Sequence, residues 1–302
     1  MIDSEFAELR PSAFAIAYRM LGSVSEAEDV VQEGFLRLHR MREGGERIES
    51  PRAYLSTVVS RLSLDHLRSA RVRRETYVGE WLPEPLVASA DDPARKAEMA
   101  DSLSLAFLVL LESLSPEQRA AFLLHEVFEE PYERIAEIIA TSEQNARQLV
   151  SRARRHVEER RPRFEVSREQ QEQLATRFFA AAESGNLEAL EELLAHDVVL
   201  HGDGGGKAPA IARAIHGRAR VARTLIAGLR TATRAGGFTL RREEVNGQPG
   251  ALFFDREGRV GGVMILDVAD GQIQGVSSIN NPDKLRHLGP VADLRALLRE
   301  RR

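Results

Sequence analysis

Residues 201–208 read His-Gly-Asp-Gly-Gly-Gly-Lys-Ala and offer two kinds of chemistry. Three glycines before a lysine could cradle a phosphate. A P-loop, however, reads G-x-x-x-x-G-K followed by Ser or Thr, whose hydroxyl holds Mg²⁺. Here only three residues separate Gly202 from Gly206, and Ala208 follows Lys207. The spacing argues against a nucleotide loop. The second chemistry is acid–base: His201 and Asp203 alternate on one side of an expected strand, with Asn280 as an accompanying amide. Such groups work when an apolar pocket shifts their pKa. No dense constellation surrounds them, and a lone His is more often structural. The chain has no cysteine, so it has no disulfide, thiolate nucleophile or cysteine-ligated zinc, which suits a reducing cytoplasm. No metal or cofactor is expected.

A third chemistry lies in the arginines. The net charge is −4, yet it is unevenly spread. Arg61, Arg68, Arg71, Arg73 and Arg74 face only Asp65 within residues 61–74, and residues 142–163 hold seven arginines against three glutamates. Residues 75–102 between them hold seven acids against Arg95 and Lys96. Two basic stripes split by an acidic connector are a footprint for a polyanion touched twice, although arginine-rich faces can also be merely solvated.

These residues need elements to hold them. Ser25-Glu-Ala-Glu28 and Ser115-Pro-Glu-Gln118 read as capping boxes, and Ser50-Pro51, Thr141-Ser-Glu-Gln144 and Ser167-Arg-Glu-Gln170 also mark helix starts. Apolar residues recur at helical spacing over 6–70 and 103–158, predicting two helical bundles. Trp81-Leu-Pro-Glu-Pro85 and Asp91-Asp-Pro93 break the helical pattern between them. After Pro162, helices over roughly 168–184 and 186–195 precede short β-branched runs at 198–201, 239–245, 251–255, 260–268 and 272–279. Ala269-Asp-Gly271 is the best hairpin signal. His216 falls in an expected helical region. The fold class is therefore multidomain: two all-α bundles followed by an α+β domain with a curved antiparallel sheet. The N-terminal segment does not read as a secretory signal, and no apolar run is long enough for a bilayer, so a cytoplasmic protein without a membrane partner is expected.

The order of residues is more specific than their periodicity. Glu26-Ala-Glu-Asp-Val-Val-Gln-Glu33 with Phe35 resembles the helix by which bacterial sigma factors dock on core RNA polymerase. The resemblance assigns Glu28, Asp29, Gln32, Glu33 and Phe35 to that contact. Residues 50–68 resemble the sigma segment that melts and reads the −10 promoter element, where Arg61, Arg68, Arg71, Arg73 and Arg74 would follow the strand backbone. Arg61 stands where many relatives carry Asn, and Asp65 fits a structural role at least as well as a base contact. Residues 132–157 form a helix-turn-helix pattern whose end, Ser151-Arg-Ala-Arg-Arg155, resembles the sigma domain that reads the −35 element. Ala140 and Thr141 stand where glycine and an apolar residue are commoner. In that mode Glu143, Gln144, Asn145, Arg147 and Gln148 face base edges, while Arg152, Arg154 and Arg155 hold phosphates.

Residues 5–160 thus resemble an extracytoplasmic-function sigma factor, and residues 168–280 resemble a SnoaL-like cone of the NTF2-like type. One group of these sigma factors joins such an extension to three short motifs, which stand here as Trp81-Leu82-Pro83-Glu84-Pro85, Asp203-Gly204-Gly205-Gly206-Lys207 and Asn281-Pro282-Asp283-Lys284-Leu285. The resemblance implies domain two at 1–74, an acidic linker at 75–102, domain four at 103–163, a regulatory domain at 164–286 and a tail at 287–302. It implies regulation by the extension in place of a separate anti-sigma protein, with core polymerase and promoter DNA as partners. It leaves room for a small-molecule ligand in the cone. The alternative is a cone that binds or turns over a small molecule, isomerase- or hydrolase-like, coupled to a DNA-binding regulator.

Overall fold

The computed structural model describes residues 2–75, 77–87, 104–159, 167–234 and 237–299. Two compact units emerge: Met1–Thr76, Ala94–Leu103 and Phe107–Arg161 form the first, and Tyr77–Pro93, Ser104–Ala106 and Pro162–Arg302 the second. The acidic stretch 88–102, including Asp91-Asp-Pro93, lies outside the described residues.

The first unit opens with helices α1 (Ile2–Leu21), α2 (Val24–Glu43) and α3 (Pro51–Glu75). Ser23, not Ser25, caps α2, its side chain accepting from Glu26 N. The helix can start two residues early because Val24 adds a buried residue to the stripe of Ala27, Val30, Val31, Gly34 and Leu38. Gly34 is where α2 crosses α3: a Cβ there would lie 3.0 Å from Leu55 Cδ1 and 3.1 Å from Val59 Cγ2. The second bundle comprises α4 (Leu105–Glu112), α5 (Pro116–Glu126), α6 (Tyr132–Ile139) and α7 (Glu143–Glu158). Ser115 and Gln118 close the expected capping box on α5. Ile135, Ala136, Ile138 and Ile139 of α6 are buried, as are Ala146, Val150, Ala153 and Val157 of α7. Burial of each larger apolar side chain is worth about 1.5–3 kcal/mol, which outweighs the modest helix propensity of Ile and Val. Ala140 makes the turn between α6 and α7 in the left-handed region, at φ 56°.

Within this unit the two bundles face each other. Arg119 of α5 is fully buried, pairs with Glu112 and donates to the Arg19 carbonyl of α1 at 3.0 Å. Burial pushes its guanidinium down to about 9, which leaves it charged at neutral pH. Arg134 of α6 reaches Thr57 of α3.

The second unit holds α8 (Arg168–Ser184), α9 (Leu187–Leu193), α10 (Arg218–Arg234) and a six-stranded sheet. Its strands are β1 (Leu194–Asp203), β2 (Ile215–His216), β3 (Thr239–Val245), β4 (Gln248–Phe254), β5 (Val260–Ala269) and β6 (Gln272–Ile279), in the order β2-β1-β6-β5-β4-β3. Both tight hairpins put left-handed residues at their tips, Asn246-Gly247 (φ 52° and 69°) and Asp270-Gly271 (φ 53° and 70°), as the strand twist requires. Two expectations are corrected. The sheet is not wholly antiparallel, because β1 and β6 run parallel, with Leu200 opposite Val276. Apolar alternation marks a strand but carries no direction. His216 lies not in a helix but on β2, paired with Val199; the helix begins only after Gly217. Phe178, Leu190, Leu194, Val198, Val221, Leu266 and Val276 form the core between α8–α10 and the sheet. A short terminal helix, α11 (Leu294–Arg299), completes the described chain.

Candidate functional site

The three short motifs meet at the end of β1. Asp203 is completely buried, and its carboxylate gathers the linker and the tail motif together. Oδ1 accepts from the Tyr77 hydroxyl at 2.6 Å and from Gly205 N at 3.0 Å; Oδ2 accepts from Leu82 N at 2.9 Å and Lys284 Nζ at 2.6 Å. Lys284 also donates to the Leu82 carbonyl and sits over the Trp81 ring, 4.1 Å from its centroid. Asn281 donates to the Tyr77 oxygen at 2.7 Å. Burial and the adjacent Asp203 carboxylate push the Tyr77 phenol well above its ordinary range, so it stays a donor.

Sequence chemistry explains each part. Asp203 ends β1 because the next three residues are glycines. Gly205 adopts φ 57°, and a Cβ there would lie 2.3 Å from Asn281 Nδ2, so any side chain would drive the Asn281 turn away. Asn281 caps the Pro282–Lys284 turn, its side chain accepting from Asp283 N, and this turn aims Lys284 inward. Lys207 pairs with Asp283 at the surface. The rest of the linker is fixed beside this cluster. Leu82, Pro83, Glu84 and Pro85 are buried, and so is Leu285. The Pro85 carbonyl meets His287 Nε2 at 2.7 Å, and Leu86 N donates to Asn246 Oδ1 at 2.9 Å. Val87 bridges Val245.

The acid–base candidates are drawn into the same contacts. His201 Nδ1 lies 3.2 Å from Glu80, and Asp203 is engaged as described. The residues alternating with them on β1, Leu200 and Gly202, line a cavity in the cone, as does Asn280. His201 and Asp203 therefore do not combine with Asn280 in one pocket. Among the described residues no cluster of three or more His, Asp or Glu is arranged to hold a metal ion. Tyr77, Glu80, Asn246 and His287 escaped the sequence reading. Only the proximity of Tyr77 to Trp81 hinted at a role, since polar residues in loops carry no periodicity.

In the first unit, Glu28, Asp29 and Gln32 are exposed on α2, and Glu33 and Phe35 half-exposed. Glu28 pairs with Arg10 at 3.2 Å and Glu33 with Arg37 at 2.8 Å, while Phe35 packs on Phe6 at a ring distance of 4.4 Å. On α3, Arg61 donates to the Glu137 carbonyl at 3.0 Å, and Arg68 bonds Glu117 at 3.1 Å and Asp65 at 3.3 Å. Arg71, Arg73 and Arg74 follow on the same helix, but their side chains lie outside the described residues. On α7, Ser142 is the N-cap, and Glu143, Gln144, Asn145, Arg147, Gln148, Arg152, Arg154 and Arg155 are all exposed. Arg147 lies 4.3 Å from the Tyr132 ring centroid and bonds Glu143; Arg154 bonds Glu126. Burial alone would raise the Glu126 carboxyl, but bonds from Arg154 and His125 outweigh it and hold the group below its usual range.

An acidic-faced helical bundle, a helix-turn-helix bundle and a hollow α+β cone on one chain define a DNA-binding transcription protein with a fused effector domain. Three family models match along the chain: Sigma-70 region 2 over residues 6–73, Sigma-70 region 4 over 104–157, and the SnoaL-like domain over 175–276. The chain is 40% identical to the ECF RNA polymerase sigma factor SigJ of Mycobacterium tuberculosis, over 97% of this chain and 96% of the relative. It is 34% identical to that organism's probable ECF sigma factor SigI, over 89% and 90%. The crystal structure of SigJ superposes with a TM-score of 0.76 at 37% identity, covering 94% of this chain and 98% of that one. The chain belongs to the ECF RNA polymerase sigma factors, in the form that carries a SnoaL-like domain. As such it works with core RNA polymerase and promoter DNA, and the alternative of a catalytic module on a stand-alone regulator is not favoured.

Proposed function

We propose that this sigma factor is regulated from within, its cone holding the linker between the two DNA-reading domains in place of a separate anti-sigma protein. The observation that carries the reading is Asp203, which binds Tyr77 and Leu82 of the linker and Lys284 of the tail motif through one buried carboxylate. In the same reading Glu28, Asp29, Gln32, Glu33 and Phe35 of α2 dock on core polymerase in the cytoplasm. Arg61, Arg68, Arg71, Arg73 and Arg74 follow the melted −10 strand. Glu143, Gln144, Asn145, Arg147 and Gln148 read the −35 element, and Arg152, Arg154 and Arg155 grip its phosphates. Arg61 bonds the Glu137 carbonyl and Arg68 bonds Glu117 at the surface, and such exposed bonds exchange readily enough for a DNA phosphate to take the arginines over. The cone's cavity is the seat for a small-molecule ligand.

Run-off transcription with purified core polymerase tests the reading. The full chain is compared with Asp203→Asn and with a chain ending before Asn281. Both variants are expected to change promoter-specific transcript in the same direction; unchanged transcript from both overturns internal regulation. For the DNA surface, Arg147→Ala is expected to alter promoter preference and Arg155→Ala to weaken all promoters evenly. Equal losses on every sequence would overturn that division.

A further inference from the structure

The cone encloses a cavity of about 390 Å³, between α10, the sheet and α11, within the size range of small-molecule sites. Leu225, Leu229, Phe253 and Met264 form much of its wall, and among the described residues no Asp, Glu, Lys, Arg or His lines it. Thr224 and Thr231 turn their hydroxyls back to the carbonyls of Arg220 and Ala227 at 2.9 and 2.8 Å. The polar edge is Ser278 with Asn280, whose amide donates to the Pro209 carbonyl at 3.0 Å. A charged ligand would lose its hydration here without a counter-charge, whereas an apolar body with one hydroxyl or carbonyl end matches the lining.

One wall of the cavity leads elsewhere. Leu294 and Leu297 of α11 face the cavity, while Arg295 between them donates to the Gly206 carbonyl at 2.6 Å. Gly206 belongs to the DGGGK loop and rests against Val78 of the linker, where an added Cβ would lie 3.1 Å from Val78 Cβ. The helix is anchored by Asp293, which accepts from Arg295 N and Ala296 N at 3.0 Å, and by the pairing of Val260 with residues 290–292. A ligand that moves the two leucines therefore pulls on the loop through the arginine.

We propose that the cavity binds an uncharged, largely apolar small molecule with one polar end, and that α11 transmits its occupancy through Arg295 to the DGGGK loop and the Trp81 linker. The transmission rests on the reading of that loop as the cone's hold on the linker. The test uses the full chain with decanol as a neutral probe and decanoate as its charged counterpart. Binding is read by calorimetry, and the linker by the emission of Trp81, the chain's one tryptophan. Decanol is expected to bind saturably and decanoate at least about tenfold more weakly.

Gly228→Phe should weaken decanol binding by at least about tenfold while keeping α10 intact: the site has no neighbour within 4 Å of an added Cβ, and Gly is the poorer helix former. Ala232→Leu is the second filler, should the first perturb folding. Absence of saturable decanol binding, equal binding of decanoate, or unchanged binding in both fillers overturns the site. Decanol should shift Trp81 emission in the unaltered chain, and Arg295→Ala should abolish the shift while retaining decanol affinity. No shift in the unaltered chain, or a shift that survives Arg295→Ala, overturns the transmission. Ligand-free transcription with Asp203→Asn decides the linker reading separately, so the two can fail independently.

Discussion

The junction at Asp203 and the recognition helix α7 are both dense in charge, yet they treat it in opposite ways. At the junction a carboxylate and an ammonium are both buried, and, apart from the local bond from Gly205 N, the bonds to Asp203 reach across long stretches of chain, from Tyr77, Leu82 and Lys284. On α7 the charged groups stay at the surface, whether they pair within the helix, as Arg147 does with Glu143, or with α5, as Arg154 does with Glu126. Desolvation makes the junction stringent, because loss of one partner strands the other. Solvent makes the α7 pairs weak and exchangeable, so their arginines can turn to DNA at little cost. Buried charge here specifies an arrangement of the chain; exposed charge keeps a surface available.

The largest expected effect comes from breaking the junction. Asp203→Ala leaves Lys284 buried without its carboxylate and is expected to cost about 3–5 kcal/mol of stability, with a red shift of Trp81 emission, measured by denaturant unfolding followed through that residue. Arg147→Ala, the matching cut on α7, should change stability by no more than about 0.5 kcal/mol in the same assay. Equal losses from the two would erase the contrast. Gly205→Ala tests whether the junction is steric as well as ionic. Its positive φ and the approach of Asn281 predict a loss of about 1–3 kcal/mol, again read through Trp81.

Asp267 sharpens the comparison, since this half-buried carboxylate faces the Gln248 amide at 3.2 Å and not a lysine. Burial pushes its pKa above the ordinary 3.8, with the Gln248 bond acting in the opposite direction. The folded state thus holds the proton longer than the unfolded chain. Stability from this group is full below about pH 3.8 and declines as pH rises through the raised folded value. Asp267→Asn should therefore raise stability at neutral pH by about 0.5–1 kcal/mol and flatten the acid-side pH profile, as urea titrations across pH would record. The smallest effect belongs to the helix-turn-helix. Ala140 sits at φ 56° where glycine carries no steric penalty, so Ala140→Gly should raise the stability of the first unit by about 0.5 kcal/mol.

Much of this architecture is legible before folding. Ser115 and Ser167 cap helices where expected because a hydroxyl before a helical run satisfies free backbone donors, while the cap of α7 is Ser142, one residue past the expected Thr141. The tips at Asn246-Gly247 and Asp270-Gly271 follow from residues that tolerate positive φ. The exposed face of α7 follows from a 3.6-residue period that buries Ala146, Val150, Ala153 and Val157. The exposed faces of α2 and α7 could be located in advance because each follows a single helical period; their use by polymerase and DNA is a proposal.

The sequence by itself determined the elements, their caps and turns, the exposed faces of α2 and α7, and the presence of three motifs in order. These depend on local sterics, backbone hydrogen bonding and periodic burial, which act within a few residues. Only the tertiary structure decided that β1 and β6 run parallel, that His201 and Asp203 belong to the linker junction and not to a pocket, and that Tyr77, Glu80 and Arg295 take part. It also decided that the cavity is walled on one side by a helix tied to the DGGGK loop. Those outcomes depend on which distant side chains share one buried volume, where desolvation forces charges and donors to find partners, and no local pattern records that.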